Sequence, residues 1–125
     1  MAKVFIATLG IGKGTWGHVA RLISEGEWGK VVLISNEWGK ENFKISKDEE
    51  ENANKLKNSD WAIVNTNAGF DTIKDVIKEK LPKGDVHVSL ISGSGKEHMA
   101  VLAALKELKV DFKLITLTGD GTKTY

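Results

Sequence analysis

Residues 86–99 read Val86-His87-Val88-Ser89-Leu90-Ile91-Ser92-Gly93-Ser94-Gly95-Lys96-Glu97-His98-Met99. An apolar run breaks into a glycine-serine turn and then resumes with helical spacing, which reads as a strand, a tight turn and a helix N-terminus. Glycines in such a turn let backbone N–H groups approach a ligand closely. The first amides of a helix have no intrahelical partner, and Lys96 adds a mobile positive charge. Together these features make an anion cradle, with phosphate the expected ligand class.

A second glycine turn, Gly10-Ile11-Gly12-Lys13-Gly14-Thr15-Trp16-Gly17, follows an apolar, partly β-branched run over 3–9. That run reads as a strand buried on both faces. Thr15 is a suitable N-cap for a helix running to about residue 25, with Val19, Leu22 and Ile23 as its apolar stripe. Val31, Val32, Leu33 and Ile34 mark a second buried strand over 30–35. Residues 36–47 read as a polar loop anchored by Trp38, Phe43 and Ile45, and 48–58 as a short, strongly charged helix. A third strand spans 61–65, and Asn67 to Asp71 form a turn that can cap the next helix. In that helix Phe70, Ile73, Val76, Ile77 and Leu81 recur at helical spacing until Pro82-Lys83-Gly84 stops it. A strand over 85–91, an alanine-containing helix over 94–109 and a strand over 111–117 follow, and the tail reads as a turn and the start of a sixth strand.

Strands alternating with helices in this way predict one α/β domain over residues 1–125. The expected architecture is a Rossmann-like three-layer sandwich whose mainly parallel five- to six-stranded sheet has the order 3-2-1-4-5. In that order the first and fourth strands flank the topological switch point, and both glycine turns lie beyond their carboxyl ends, where ligands of such sheets bind.

Composition narrows the chemistry. Of 125 residues, 41% are hydrophobic and 28% charged, the balance of a soluble globular domain. With 18 Lys+Arg against 17 Asp+Glu the net charge is +1, so no overall field favours a membrane surface or direct DNA binding, and anion binding must be local. All the basic residues but Arg21 are lysine, which with the absence of cysteine leans toward a thermophile's composition. No apolar run approaches the ~20 residues of a membrane span, and the start Met-Ala-Lys-Val-Phe-Ile-Ala-Thr is too short and mixed for a signal peptide, so a cytoplasmic location is expected. With no cysteine, thiol nucleophiles, disulfides and thiolate metal sites are excluded. The three histidines have no carboxylate partner at ligand spacing, so neither a metal nor a resident cofactor is expected.

Neither glycine turn is a P-loop, because Lys13 is followed by Gly14 and Lys96 by Glu97 where Ser or Thr is needed. Gly12-Lys13-Gly14-Thr15-Trp16-Gly17 does match G-x-G-x-x-G, and Glu37 stands twenty residues after Gly17, so a nicotinamide or flavin dinucleotide remains an alternative ligand. Thr8, Ser92 and Ser94 sit at strand ends as hydrogen-bonding groups for a ligand or as caps of their own backbone. His18 and His98 fall in first helical turns beside the expected cleft, where the helix dipole favours neutral imidazole, a donor and acceptor for a base. His87, alternating within its strand, is expected to be structural. Trp16 and Trp38 lie near the carboxyl ends of strands, where they can stack on a base or pack inward, whereas Trp28 lies at the opposite end.

The two turns together resemble the CRISPR-associated Rossmann-fold (CARF) domains, whose first strand ends in T-x-G and whose late strand ends in a small-residue turn before a helix. Here these are Thr8-Leu9-Gly10 and Ser92-Gly93-Ser94-Gly95-Lys96, the latter continuing into Glu97-His98-Met99-Ala100. The resemblance implies a homodimer whose paired clefts bind a cyclic oligoadenylate second messenger in antiviral signalling. Thr8, Gly10 and Ile11 then line the pocket from the first strand, while Gly93, Ser94, Gly95 and Lys96 hold phosphate or ribose. It further implies, as an alternative, a metal-independent ring nuclease in which the RNA's 2′-hydroxyl attacks and Lys96, as catalytic residue, stabilises charge. Family members usually carry a DNA-binding or ribonuclease effector. None is seen in these 125 residues, which leaves a stand-alone sensor, a sponge, a ring nuclease or a sensor severed from its effector.

Overall fold

The structure, a computed structural model, describes residues 2–125. Five parallel strands form the sheet: β1 (Lys3–Thr8), β2 (Lys30–Ser35), β3 (Ser59–Ile63), β4 (Asp85–Ser89) and β5 (Phe112–Thr118). A sixth, β6 (Gly121–Thr124), returns antiparallel on β5 through a tight turn, and the order is β3-β2-β1-β4-β5-β6. Between them run α1 (Trp16–Glu25), α2 (Glu37–Asn42), α3 (Glu49–Lys55), α4 (Phe70–Lys80) and α5 (Gly95–Glu107), with one 3-10 turn at Lys13–Thr15 before α1. The expected Rossmann-like sheet order is the one observed, with β1 and β4 at its centre.

The two-residue period of a strand explains the layers. Val4 and Ile6 of β1, Val32 and Ile34 of β2 and Val86 and Val88 of β4 face the side covered by α4 and α5. Phe5 and Ala7 of β1 and Val31 and Leu33 of β2 face α1 and the segment around Phe43 and Ile45. Because β1 and β2 are buried on both faces, their sequences are continuous apolar runs rather than alternating ones. Ala100 and Ala104 of α5 are fully buried, so small side chains bring that helix onto the sheet. His87 is buried as expected, its Nδ1 donating to the Asp85 carbonyl at 3.2 Å and its ring meeting Trp28 edge-on at the lower end of the sheet.

The structure departs from the sequence reading in detail. The segment expected as a polar loop contains α2, whose N-cap Asn36 accepts the Gly39 amide at 2.7 Å. The four-residue pattern Glu-Trp-Gly-Lys occurs twice, at 27–30 and 37–40, as a connection into β2 and then as the first turn of α2, so it is no structural repeat. The third strand begins two residues early, at Ser59, because its pairing with β2 starts there. Among the described residues no helix is long and apolar enough to cross a membrane.

Candidate functional site

At the carboxyl ends of β1 and β4 the two glycine turns touch. Gly10 lies so close to the second turn that a Cβ on it would sit 2.8 Å from the Gly93 nitrogen and 3.0 Å from its Cα. Its amide donates to the Ser92 hydroxyl at 2.8 Å. Gly93 has φ +97, a left-handed conformation that side chains with a Cβ rarely adopt. The Ser92 carbonyl is the hub beneath this junction: the Thr8 hydroxyl donates to it, and His98 Nε2 lies 2.7 Å away and donates as well. Two elements distant in sequence are thereby fastened into one rigid lip.

Above the lip is an open cleft of about 510 Å³. The first turn supplies Gly10, Ile11, Gly12 and Thr15, the second supplies Ile91, Ser92, Gly93, Ser94 and Glu97, and Thr66 comes from the connection after β3. Ser94 caps α5, accepting the Glu97 amide and donating to the Glu97 carboxylate at 2.8 Å. The amides of Gly95 and Lys96, the first two of α5, have no intrahelical partner, and the positive end of the helix dipole lies with them. Backbone N–H groups, hydroxyls and a helix N-terminus in one concavity can hold a phosphate. A larger hollow, about 710 Å³, lies at the other end of the sheet between Lys83 and Lys113, away from both glycine turns.

Of the residues expected at the site, Gly10, Ile11, Ser92, Gly93 and Ser94 line the cleft, while Thr8 and His98 hold the Ser92 carbonyl below it. Gly95 opens α5 at the rim. Lys96 turns aside: its ammonium donates to the Ala68 carbonyl at 2.6 Å and the Thr66 carbonyl at 3.3 Å, pinning the connection before α4 to the start of α5. Trp16 is buried rather than free to stack on a base. Its indole N–H donates to the Gly10 carbonyl at 3.0 Å, and its ring packs on Phe43 and Trp38. His18 does not line the cleft but turns to β5, where its Nε2 accepts the Leu117 amide at 3.2 Å. The cause lies in the sheet: β4 and β5 pair only as far as Val88 and Leu114, so the Leu117 amide has no strand partner on that side. Burial lowers the His18 pKa below its usual value, in keeping with a neutral ring that accepts.

Sequence reasoning passed over Glu97 and Thr66. Ser94-Gly95-Lys96-Glu97 is a capping-box pattern, a signal that ties Glu97 back to Ser94. Thr66 had no local signal, since only the path of the chain after β3 brings it to the cleft. The G-x-G-x-x-G glycines make no close packing contact within the protein. A Cβ on Gly12, Gly14 or Gly17 would meet nothing within 4 Å, so Gly17 does not serve the close helix–strand packing that the third glycine of a dinucleotide fingerprint provides. Glu37 is the first residue of α2. Among the described residues no group of three or more His, Asp or Glu could hold a metal ion.

No family model and no curated protein matches the sequence. Among solved structures the chain is similar to Enterococcus italicus Csm6 bound to cyclic hexa-2′-fluoro-hexa-dAMP, with a TM-score of 0.59 and 15% identity over 94% of this chain. The match covers 34% of that longer chain. The chain therefore shares its α/β fold with that part of Csm6.

Proposed function

We propose that the cleft binds a cyclic oligoadenylate and that the chain is a cytoplasmic sensor domain of CRISPR-type antiviral signalling. The observation that carries this reading is the Gly10–Gly93 junction, which sets a helix N-terminus and two glycine turns around one cleft at the switch point. The fold shared with a protein solved with a cyclic hexa-adenylate analogue supports it. The exposed side chains of Ile11 and Ile91 at the cleft suit contact with a base or with a second copy. A two-fold homodimer would join two such clefts into one pocket matching the repeat of a cyclic ligand.

Binding is favoured over ring cleavage because Lys96, the residue expected to stabilise charge, is occupied by the Thr66 and Ala68 carbonyls. A panel of cyclic tri-, tetra- and hexa-adenylate, linear oligoadenylate, NAD and FAD, read by melting temperature and then calorimetry, tests the reading. A ligand held at a hundred times its Kd stabilises the native state by about 2.7 kcal/mol, several degrees in Tm. No shift with any cyclic oligoadenylate, in the presence of a shift with a dinucleotide, would overturn it. Sedimentation with and without ligand tests the dimer.

A further inference from the structure

Glu97 is 4% exposed, yet it borders the cleft. A carboxylate removed from water is costly unless its oxygens are paired. Among the described residues this one receives a single side-chain hydrogen bond, from the Ser94 hydroxyl to Oε1, and no ion pair. The cation nearest in sequence, Lys96, is committed to the carbonyls of Thr66 and Ala68, and the His98 ring is committed to the Ser92 carbonyl. What remains to offset the charge is the helix terminus itself, since Glu97 is the third residue of α5. Oε2 is left without a donor on a side chain that faces the binding cavity.

We propose that Glu97 is a specificity-determining residue whose carboxylate accepts a hydrogen bond from a ribose 2′-hydroxyl of the bound nucleotide. The inference rests on the nucleotide reading above. A carboxylate can only accept, so the group that enters opposite it must be a donor, and a second phosphate is repelled from that position. Location selects the hydroxyl. The free amides of Gly95 and Lys96 directly precede Glu97 on the same helical turn, so the donor must lie beside the phosphate that those amides hold. On a ribonucleotide the 2′-hydroxyl is on the carbon next to the one that carries the 3′-phosphate, whereas the amino group of adenine lies at the far edge of the base. A site built this way discriminates against a ligand that lacks the hydroxyl, because the ligand then covers Oε2 without supplying a donor to it.

Calorimetry on the whole chain with cyclic tetra- and hexa-adenylate and their 2′-fluoro counterparts tests this, fluorine being unable to donate. Wild type should bind the ribo form about tenfold or more tightly than the fluoro form, the size expected of a hydrogen bond to a charged group. In Glu97→Ala the preference should fall to about twofold or less, with both forms still bound. The ratio within the variant is its own control for lost helix capping, and Glu97→Gln, which keeps an acceptor oxygen, should retain part of the preference. Equal binding of the two forms by wild type, or an unchanged preference in Glu97→Ala, refutes the inference and leaves the nucleotide reading intact. Failure of wild type to bind either form refutes the nucleotide reading, and the inference with it.

Discussion

Replacing Gly10 with alanine is the sharpest perturbation of the site. The new Cβ would lie 2.8 Å from the Gly93 nitrogen, against the 3.4 Å at which ordinary contact begins, so the two turns must separate by about 0.6 Å. Neither neighbour can rotate away, since both atoms in the clash belong to the backbone. That separation stretches the 2.8 Å bond from the Gly10 amide to the Ser92 hydroxyl past the normal range and weakens it. Overpacking of this kind costs about 1–3 kcal/mol, of which the hydrogen bond is about 1. Taking about 2 kcal/mol, Tm should fall by roughly 6–10 °C in a domain of this size. Affinity for a cyclic oligoadenylate should fall with it, because the lip of the cleft opens. Gly12→Ala is the matched control: it meets open space, φ there is −81, and the substitution should be neutral or stabilise by about 0.4–1 kcal/mol. Differential scanning calorimetry of both variants decides the matter. A Gly10→Ala protein melting within about 1 °C of wild type would show that the two turns are not in the contact described.

Lys96→Ala removes two hydrogen bonds to the Thr66 and Ala68 carbonyls and, with them, the tether of the segment before α4. Its affinity for cyclic oligoadenylate should drop at least fivefold, by about 1 kcal/mol, because Thr66 lines the cleft, and unchanged affinity in calorimetry would show that the tether does not shape the cleft. Trp16→Phe keeps an aromatic ring but loses the indole N–H donor to the Gly10 carbonyl and part of the packed ring area. A loss of about 1–2 kcal/mol in urea denaturation is expected, and no loss would mean that the indole does not support the turn. His18 has its pKa lowered by burial, so below the ordinary value near 6.5 the unfolded chain takes up the proton more readily than the folded one. Its contribution is complete above pH ~6.5 and is lost as pH falls through the lower folded value. The Tm difference between wild type and His18→Gln should therefore shrink from pH 7.5 to 5, and a difference independent of pH would contradict the neutral acceptor role.

Much of this protein was legible from local pattern. The apolar runs of β1 and β2, the helical spacing in α4 and the glycine turns each reflect a period or a backbone requirement that a few neighbouring residues carry by themselves. The sheet order followed from a general rule of parallel α/β folds, not from any one residue. Local pattern also put Gly10 and Gly93 in turns beyond the first and fourth strands, where they are found. It could not say that they touch, because that distance depends on how β1 and β4, far apart in the chain, align in the sheet.

Side-chain direction was decided only by tertiary structure. Trp16 and His18 both stand at the start of α1, beside the expected cleft, but one ring turns inward to Phe43 and the other out to an amide that β5 exposes where it leaves β4. Lys96 read as a charge free to meet an anion until the segment after β3 offered it two carbonyls. Glu97 carried only a capping-box signal in the sequence, and its burial at the edge of the cleft came from the fold. A side chain's chemistry is set by its residue type, but its partner is chosen among groups brought near by the whole fold. For this reason the sequence determined which groups are present and roughly where the chain turns, and the packing of distant elements determined which of them face the cleft.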